Sequence, residues 1–202
     1  SVQVAERLHY YYQQIDSLSF NFTQQTSGQI SGRPKTGTGN ALFVRTGSGP
    51  KMRWNYVSPD RQVIISDGQS VSMYFEKLNQ MVISSVEQAQ ADILFSLFES
   101  NNTISDSFTI LDSDPGSGST ESSGLKTIHL IPKDTNSQIN TIHLWISTDS
   151  SLRRIELVDH FETKTIINLS DIRTNTINPD DIQKLADIFT FTPPEGTEII
   201  RQ

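Results

Sequence analysis

The sequence contains no cysteine. This removes disulfide scaffolds, thiolate-held zinc, iron–sulfur clusters and thiol nucleophiles together. Basic charge is also scarce: 16 Lys and Arg stand against 23 Asp and Glu, for a net charge of -7. No basic stripe is left to follow a phosphate backbone, so nucleic acid is excluded as a partner. No apolar run reaches the length of a membrane-crossing helix. No G-x-S-x-G elbow, phosphate-binding loop, dinucleotide glycine fingerprint or H-E-x-x-H helix occurs. The chain is therefore not read as an enzyme, no catalytic residue is assigned and no cofactor is expected.

What is present is apolar residues at 35%, spread evenly over 202 positions. That suits one domain covering residues 1–202. Val4, Leu8, Tyr11 or Tyr12, and Ile15 recur at helical spacing, which predicts an amphipathic helix over residues 2–16. The period then changes to two, with Leu18, Phe20 and Phe22 on one face of a strand. Residues 27–39 read as a loop. Strands are expected over 40–45 and 51–57, where Met52, Trp54 and Tyr56 share a face. Residues 62–66 and 69–75 flank Asp67-Gly68, a strong hairpin signal, and another strand covers 81–84.

Helical spacing returns over residues 85–100, where Val86, Ala89, Ile93, Leu94, Leu97 and Phe98 form one stripe. A strand follows over 107–111, then a Ser, Gly and Asp-rich loop over 112–124. Long strands at 125–131, 139–147, 152–159 and 161–170 follow in meander order, with Ile128, Leu130, Ile142, Leu144, Ile146, Ile155 and Leu157 inward. Asn178-Pro179-Asp180-Asp181 opens a short helix, and a last strand covers 198–200. The sum is an α+β chain, mainly β: one large antiparallel sheet that curls, with about three helices laid on it.

A turn centred on Asn136 would place His129 opposite His143, on the polar face with Thr127, Thr141 and Trp145. Two imidazoles in that position could hold a metal with Asp159 or Glu162. Cross-strand histidines are far more often plain surface residues, so no metal is assigned. The apolar stripes either fill one another as an ordinary core or line a cavity for a greasy ligand. Periodicity does not separate these two readings.

Four segments shift the balance between them. RWNYVSPDRQVIISDG at residues 53–68 strongly resembles the outer-membrane lipoprotein carrier family (LolA). FNFTQ at 20–24, the strand at 39–45 and FTFTPPEG at 189–196 resemble that family in the same order. The resemblance covers essentially the whole chain. It implies an open, incomplete β-barrel whose helices form a lid over a hydrophobic cavity. It further implies a periplasmic chaperone, exported by a signal peptide since removed. Such a chaperone takes acylated lipoproteins from an inner-membrane ABC transporter towards the outer membrane, where a receptor is a further expected partner.

On this reading Leu42, Trp54, Met73, Leu94 and Phe98 line the lipid-binding cavity. Val86, Ala89, Ile93 and Leu97 belong to the lid helix stripe, and Met52 meets the transporter. Arg45 matches the arginine that latches the lid to its closed position. Thr46-Gly47-Ser48-Gly49 intervenes before Pro50, where the family has proline directly, so Arg53 is the alternative latch. Phe189 and Phe191 anchor the carboxyl-terminal strand. A monomer is expected. The competing readings are a lipid- or stress-sensing interaction domain of the same fold, and a carrier of another lipid class.

Overall fold

Alternation of apolar and polar residues governs most of this chain, and such segments form strands. In the computed structural model, residues 1–28, 33–85, 103–112, 124–135 and 137–202 are described. The strands are β1 (Ser17–Ser27), β2 (Lys35–Thr46), β3 (Gly49–Ser58), β4 (Gln62–Ser66), β5 (Ser70–Phe75) and β6 (Gln80–Ser85). They continue as β7 (Phe108–Asp112), β8 (Lys126–Pro132), β9 (Ile139–Ile146), β10 (Leu152–Asp159), β11 (Lys164–Thr174) and β12 (Glu198–Arg201). The helices are α1 (Val2–Gln13), α2 (Ile104–Ser107) and α3 (Ile182–Phe189).

The twelve strands form one sheet in the order β12-β6-β5-β4-β3-β2-β1-β11-β10-β9-β8-β7, which begins and ends on different strands and is therefore not closed. Hairpin neighbours pair antiparallel, whereas β12 runs parallel to β6. The chain packs as two compact units, and β1, β2 and β11 each contribute to both.

The first unit holds Ser1–Gln14, Thr23–Thr36 and Ser100–Ser170. Here α1 buries Ala5, Leu8 and Tyr12, one stripe of a 3.6-residue period. It ends at Gln13, short of the expected 16, so Ile15 is buried beyond the helix. Ile128, Leu130, Ile142, Leu144, Ile146 and Ile155 are buried on β8–β10, as their alternation predicts, while Leu157 is half-buried. The Tyr12 hydroxyl accepts a hydrogen bond from the buried Leu152 amide at 3.3 Å. The turn of helix α2 carries a capping box in which Thr103 and Asp106 satisfy each other's backbone N–H groups. Sequence periodicity assigns no element to residues 103–106 and starts a strand at Ser107, the last residue of this helix. The expected strand over 161–170 begins later, at Lys164, because residues 160–163 make the β10–β11 turn around Asp159.

The second unit holds Ile15–Phe22, Gly37–Glu99 and Asp171–Gln202. Strand β2 starts at Lys35, inside the stretch expected to be loop. The carbonyl and side chain of Asn178 take the N–H groups of Asp181 and Asp180, so the chain turns once before helix α3 begins. Asp181 is then the N-cap, accepting from the Lys184 amide at 3.0 Å. Pro179 therefore precedes the helix instead of opening it. The expected helix over 85–100 and loop over 112–124 lie almost wholly outside the described residues.

Candidate functional site

Strand registers in the second unit sort its side chains onto two faces. One row across adjacent strands is Ala41, Trp54, Ile64, Met73 and Val82. A second on the same face is Phe43, Met52, Ser66, Val71 and Ser84. The second row is buried throughout, whereas in the first Ile64, Met73 and Val82 are only half-buried. Phe20 and Phe22 join this face: Trp54 stands edge-on to Phe20, Phe22 and Phe43, with centroids 5.6, 4.9 and 6.0 Å away. Offset and edge-to-face contacts of this kind add specific geometry to the burial of large rings.

The opposite face of the same strands carries Val44, Val63, Ile65, Tyr74 and Met81, packed with Leu185 and Phe189 of α3. A cavity of about 50 Å³ lies there, lined by Ile65, Met81, Phe189 and Phe191 among others. An antiparallel sheet covered on one side commonly turns a polar face outward. These strands instead present apolar side chains on both faces, and the second apolar face is the Trp54 face.

The expected site residues divide between these faces. Trp54 and Met73 share one row, and Met52 sits on the same face. Leu42 does not: it pairs with Arg53 and packs against the α3 side. The two-residue turn at Gly47-Ser48 pairs Thr46 with Gly49, which puts Ala41, not Leu42, beside Trp54. Met52 is 5% exposed, so a transporter contact through its side chain requires that it first be uncovered. Phe189 is buried and Phe191 half-buried in the α3 core. Leu94, Phe98, Val86, Ala89, Ile93 and Leu97 lie outside the described residues.

The two candidate latches also part company. Arg45 is on the Trp54 face at the β2–β3 turn, with Asp16 as its favourable charge neighbour. Burial pulls its guanidinium below the ordinary arginine range. Arg53 points to the other face and donates from Nη1 to the Ile188 carbonyl of α3 at 2.5 Å. Its Nε donates to Asn55, which donates in turn to Asn40. Burial lowers the Arg53 pKa, and Arg61 adds to the effect.

In the first unit the histidine register holds: His129 pairs with His143, their rings stacked at 4.3 Å. The carboxylate beside them is Glu156, opposite His143 on β10, not Asp159 or Glu162. Glu156 is held by Lys164 at 2.9 Å and Arg154 at 3.4 Å. Asp159 instead accepts the N–H groups of Phe161 and Thr163 in the β10–β11 turn. Among the described residues, no group of three His, Asp or Glu side chains could hold a metal ion.

Among the described residues, one open, mostly antiparallel sheet with helix α3 on one face and an aromatic cluster on the other defines the class as an open β-sheet protein of α+β type. The family profile described as outer membrane lipoprotein carrier protein LolA matches residues 13–192, and the chain belongs to that family. An outer-membrane lipoprotein carrier protein of Nitrosomonas europaea is 32% identical over 90% of this chain and 81% of its own length. One from Dechloromonas aromatica is 27% identical over 96% of this chain and 86% of its own. Among solved structures, an uncharacterized conserved protein from Thermus thermophilus superposes with a TM-score of 0.53 at 12% identity, covering 100% and 99% of the two chains. That likeness concerns the fold alone.

Proposed function

We propose that this protein is a periplasmic carrier that holds the acyl chains of lipoproteins against the Trp54 face of β2–β6 and conveys them to the outer membrane. Family membership supports the cargo class. The observation that carries the site is the second apolar face, with its aromatic cluster and the half-buried row Ile64, Met73 and Val82. A carrier must also let go. Each fully buried methylene contributes about 0.8 kcal/mol, so an acyl chain placed in a wholly dry, preformed slot would scarcely leave. A face already partly covered recovers only part of that energy and keeps the exchange reversible.

On this reading the chain works as a monomer, is loaded by an inner-membrane ABC transporter and is relieved by an outer-membrane acceptor. Neither step needs a catalytic group. Binding of a triacylated lipopeptide, with the unacylated peptide as control, tests the proposal. Trp145 sits on the polar face of the first unit under Arg154. Replacing it with Phe leaves Trp54 as the reporting fluorophore. Acyl-dependent binding that shifts Trp54 emission supports the carrier. A folded protein that ignores the acyl chains would sink it and favour the interaction-domain reading.

A further inference from the structure

The carboxyl-terminal segment from α3 to β12 crosses the back of the strands that carry the acyl row, and it is fixed at both ends of that crossing. At β3, Arg53 grips the Ile188 carbonyl at 2.5 Å. This places a cation on the last turn of a helix, where carbonyls lack partners and the dipole favours positive charge. In the middle, Phe189 packs into the core of Val63, Ile65 and Met81, and Phe191 meets Tyr74 at 5.0 Å. Arg61 lies over the Phe191 ring. At β6, the Asn79 side chain donates to the Gly196 carbonyl at 2.9 Å and accepts from Thr197 at 3.2 Å. β12 then pairs with β6 from Gln80 to Ile83.

The fixed points fall on β3 and β6, and the strands between them are β4 and β5. These four strands supply Trp54, Ile64, Met73 and Val82 to the opposite face. Arg53 and Trp54 are adjacent in sequence, so one short backbone segment carries the clamp on one side and the aromatic anchor on the other. Helix α3 has only eight residues, too few to be stable without its tertiary contacts. Its seat therefore depends on Leu185, Phe189 and the Arg53 bond.

We infer that the α3–β12 segment is a brace across the back of the acyl-binding strands and that Arg53 is its positioning residue. Arg53 never touches the ligand. It sets how rigidly β3–β6 present the acyl row, and so how long an acyl chain stays bound. The inference rests on the carrier reading for its ligand, but the brace itself is observable without one.

Arg53→Met keeps the aliphatic stem and removes the donor, while Arg53→Lys restores a cation of similar reach. Two quantities decide the matter: amide hydrogen exchange over residues 182–189 and over β3–β6, and the dissociation rate of the triacylated lipopeptide. A half-buried charge-assisted bond implies about tenfold or more faster exchange in α3 for Arg53→Met. The inference also requires faster exchange in β3–β6, probe dissociation at least several-fold faster, and partial recovery of all three in Arg53→Lys. Exchange in α1 stays unchanged. Faster α3 exchange with unaltered probe dissociation would make the segment a mere cover and overturn the inference, as would unaltered α3 exchange. If the wild type binds no probe, the carrier reading fails, and the exchange over β3–β6 still decides whether Arg53 braces those strands.

Discussion

Phe22 and Trp54 stand on strands that are not neighbours, yet their rings meet edge to face with centroids 4.9 Å apart. β2 runs between them. The rings reach across because β2 offers only Gly39 and Ala41 on that face beside Tyr56 and Trp54. The register of β2 on β3 shifts locally between Thr38 and Gly39. A Cβ on Gly39 would lie 1.9 Å from the Asn55 carbonyl oxygen and 2.9 Å from the Phe22 ring.

Gly39→Ala therefore has nowhere to put its methyl group without moving β3 backbone. The expected loss is at least about 2 kcal/mol, in the range of an overpacked core. It should appear as a lower urea midpoint at unchanged slope. Trp54 emission should change too, because Phe22 is displaced. An unaltered midpoint would mean that the close approach does not constrain the sheet.

Asn79 adopts a left-handed backbone, φ 49°, and its side chain makes the bonds to Gly196 and Thr197. Asn79→Ala loses both the side-chain bonds and the conformational tolerance, while Asn79→Gly loses only the bonds. The left-handed region costs a Cβ-bearing residue about 1–2 kcal/mol. The alanine variant should therefore be the less stable by about 1 kcal/mol. In both, exchange at Glu198–Arg201 should rise first. Equal stability of the two variants would discard the backbone part of this account.

Much of the fold is legible in the sequence because strands with one buried side declare it by alternation. Ile128, Leu130, Ile142 and Leu144 are buried as their spacing predicts, and His129 does face His143. Leu42 lies on the face opposite Trp54 and Met73 for a specific reason. Alternation gives the period of a strand but not its phase relative to the next, which the turn sets, and one residue of slip exchanges the faces. Arg53 carries no signal of its hold on α3, because its partner is a backbone carbonyl 135 positions away. The parallel pairing of β12 is likewise invisible, since a four-residue strand has too few alternations to show orientation.

Tyr12 is fully buried, and burial raises its phenol well above the ordinary tyrosine range, so the hydroxyl stays neutral. Its acceptance of the Leu152 amide satisfies a donor at the start of β10. Tyr12→Phe would leave that N–H without its partner, at a cost of about 1–3 kcal/mol. The loss should be the same at neutral and mildly alkaline pH. Thermal unfolding of the two proteins at matched pH checks this, and equal stability would show that another acceptor takes over.

In the β9–β10 turn, Asp149 accepts from the hydroxyl of Ser147 and from the hydroxyl and amide of Ser151. The Ser147 bond is the largest cause that holds its pKa at about 2, below the 3.8 of a free carboxyl. The folded pKa is depressed, so this contribution is complete above about pH 4 and is lost as pH falls towards about 2. The group is largely exposed, so the effect is modest. Asp149→Asn should be less stable than wild type by a constant amount near neutrality. That gap should close between about pH 4 and about pH 2. A gap that persists at low pH would assign the turn's stability to something other than the ionised carboxylate.

The sharpest separation between the two faces comes from Met73 and Leu42, both half-buried. Met73 lies two strands from Trp54 in the same row, beside Ile64 and Val82. Leu42 lies beside Arg53 and supports the α3 core. A carboxylate at Met73 would face the acyl chain, and desolvating it on binding would cost several times what the lost contact is worth. Met73→Asp should therefore weaken lipopeptide binding by at least about tenfold with little change in unfolding midpoint. Leu42→Ala should do the reverse, losing about 1–2 kcal/mol of stability while probe affinity stays close to wild type. If Leu42→Ala impaired binding as much as Met73→Asp, acyl chains would have to reach the α3 side, and the Trp54 face would no longer be the binding face.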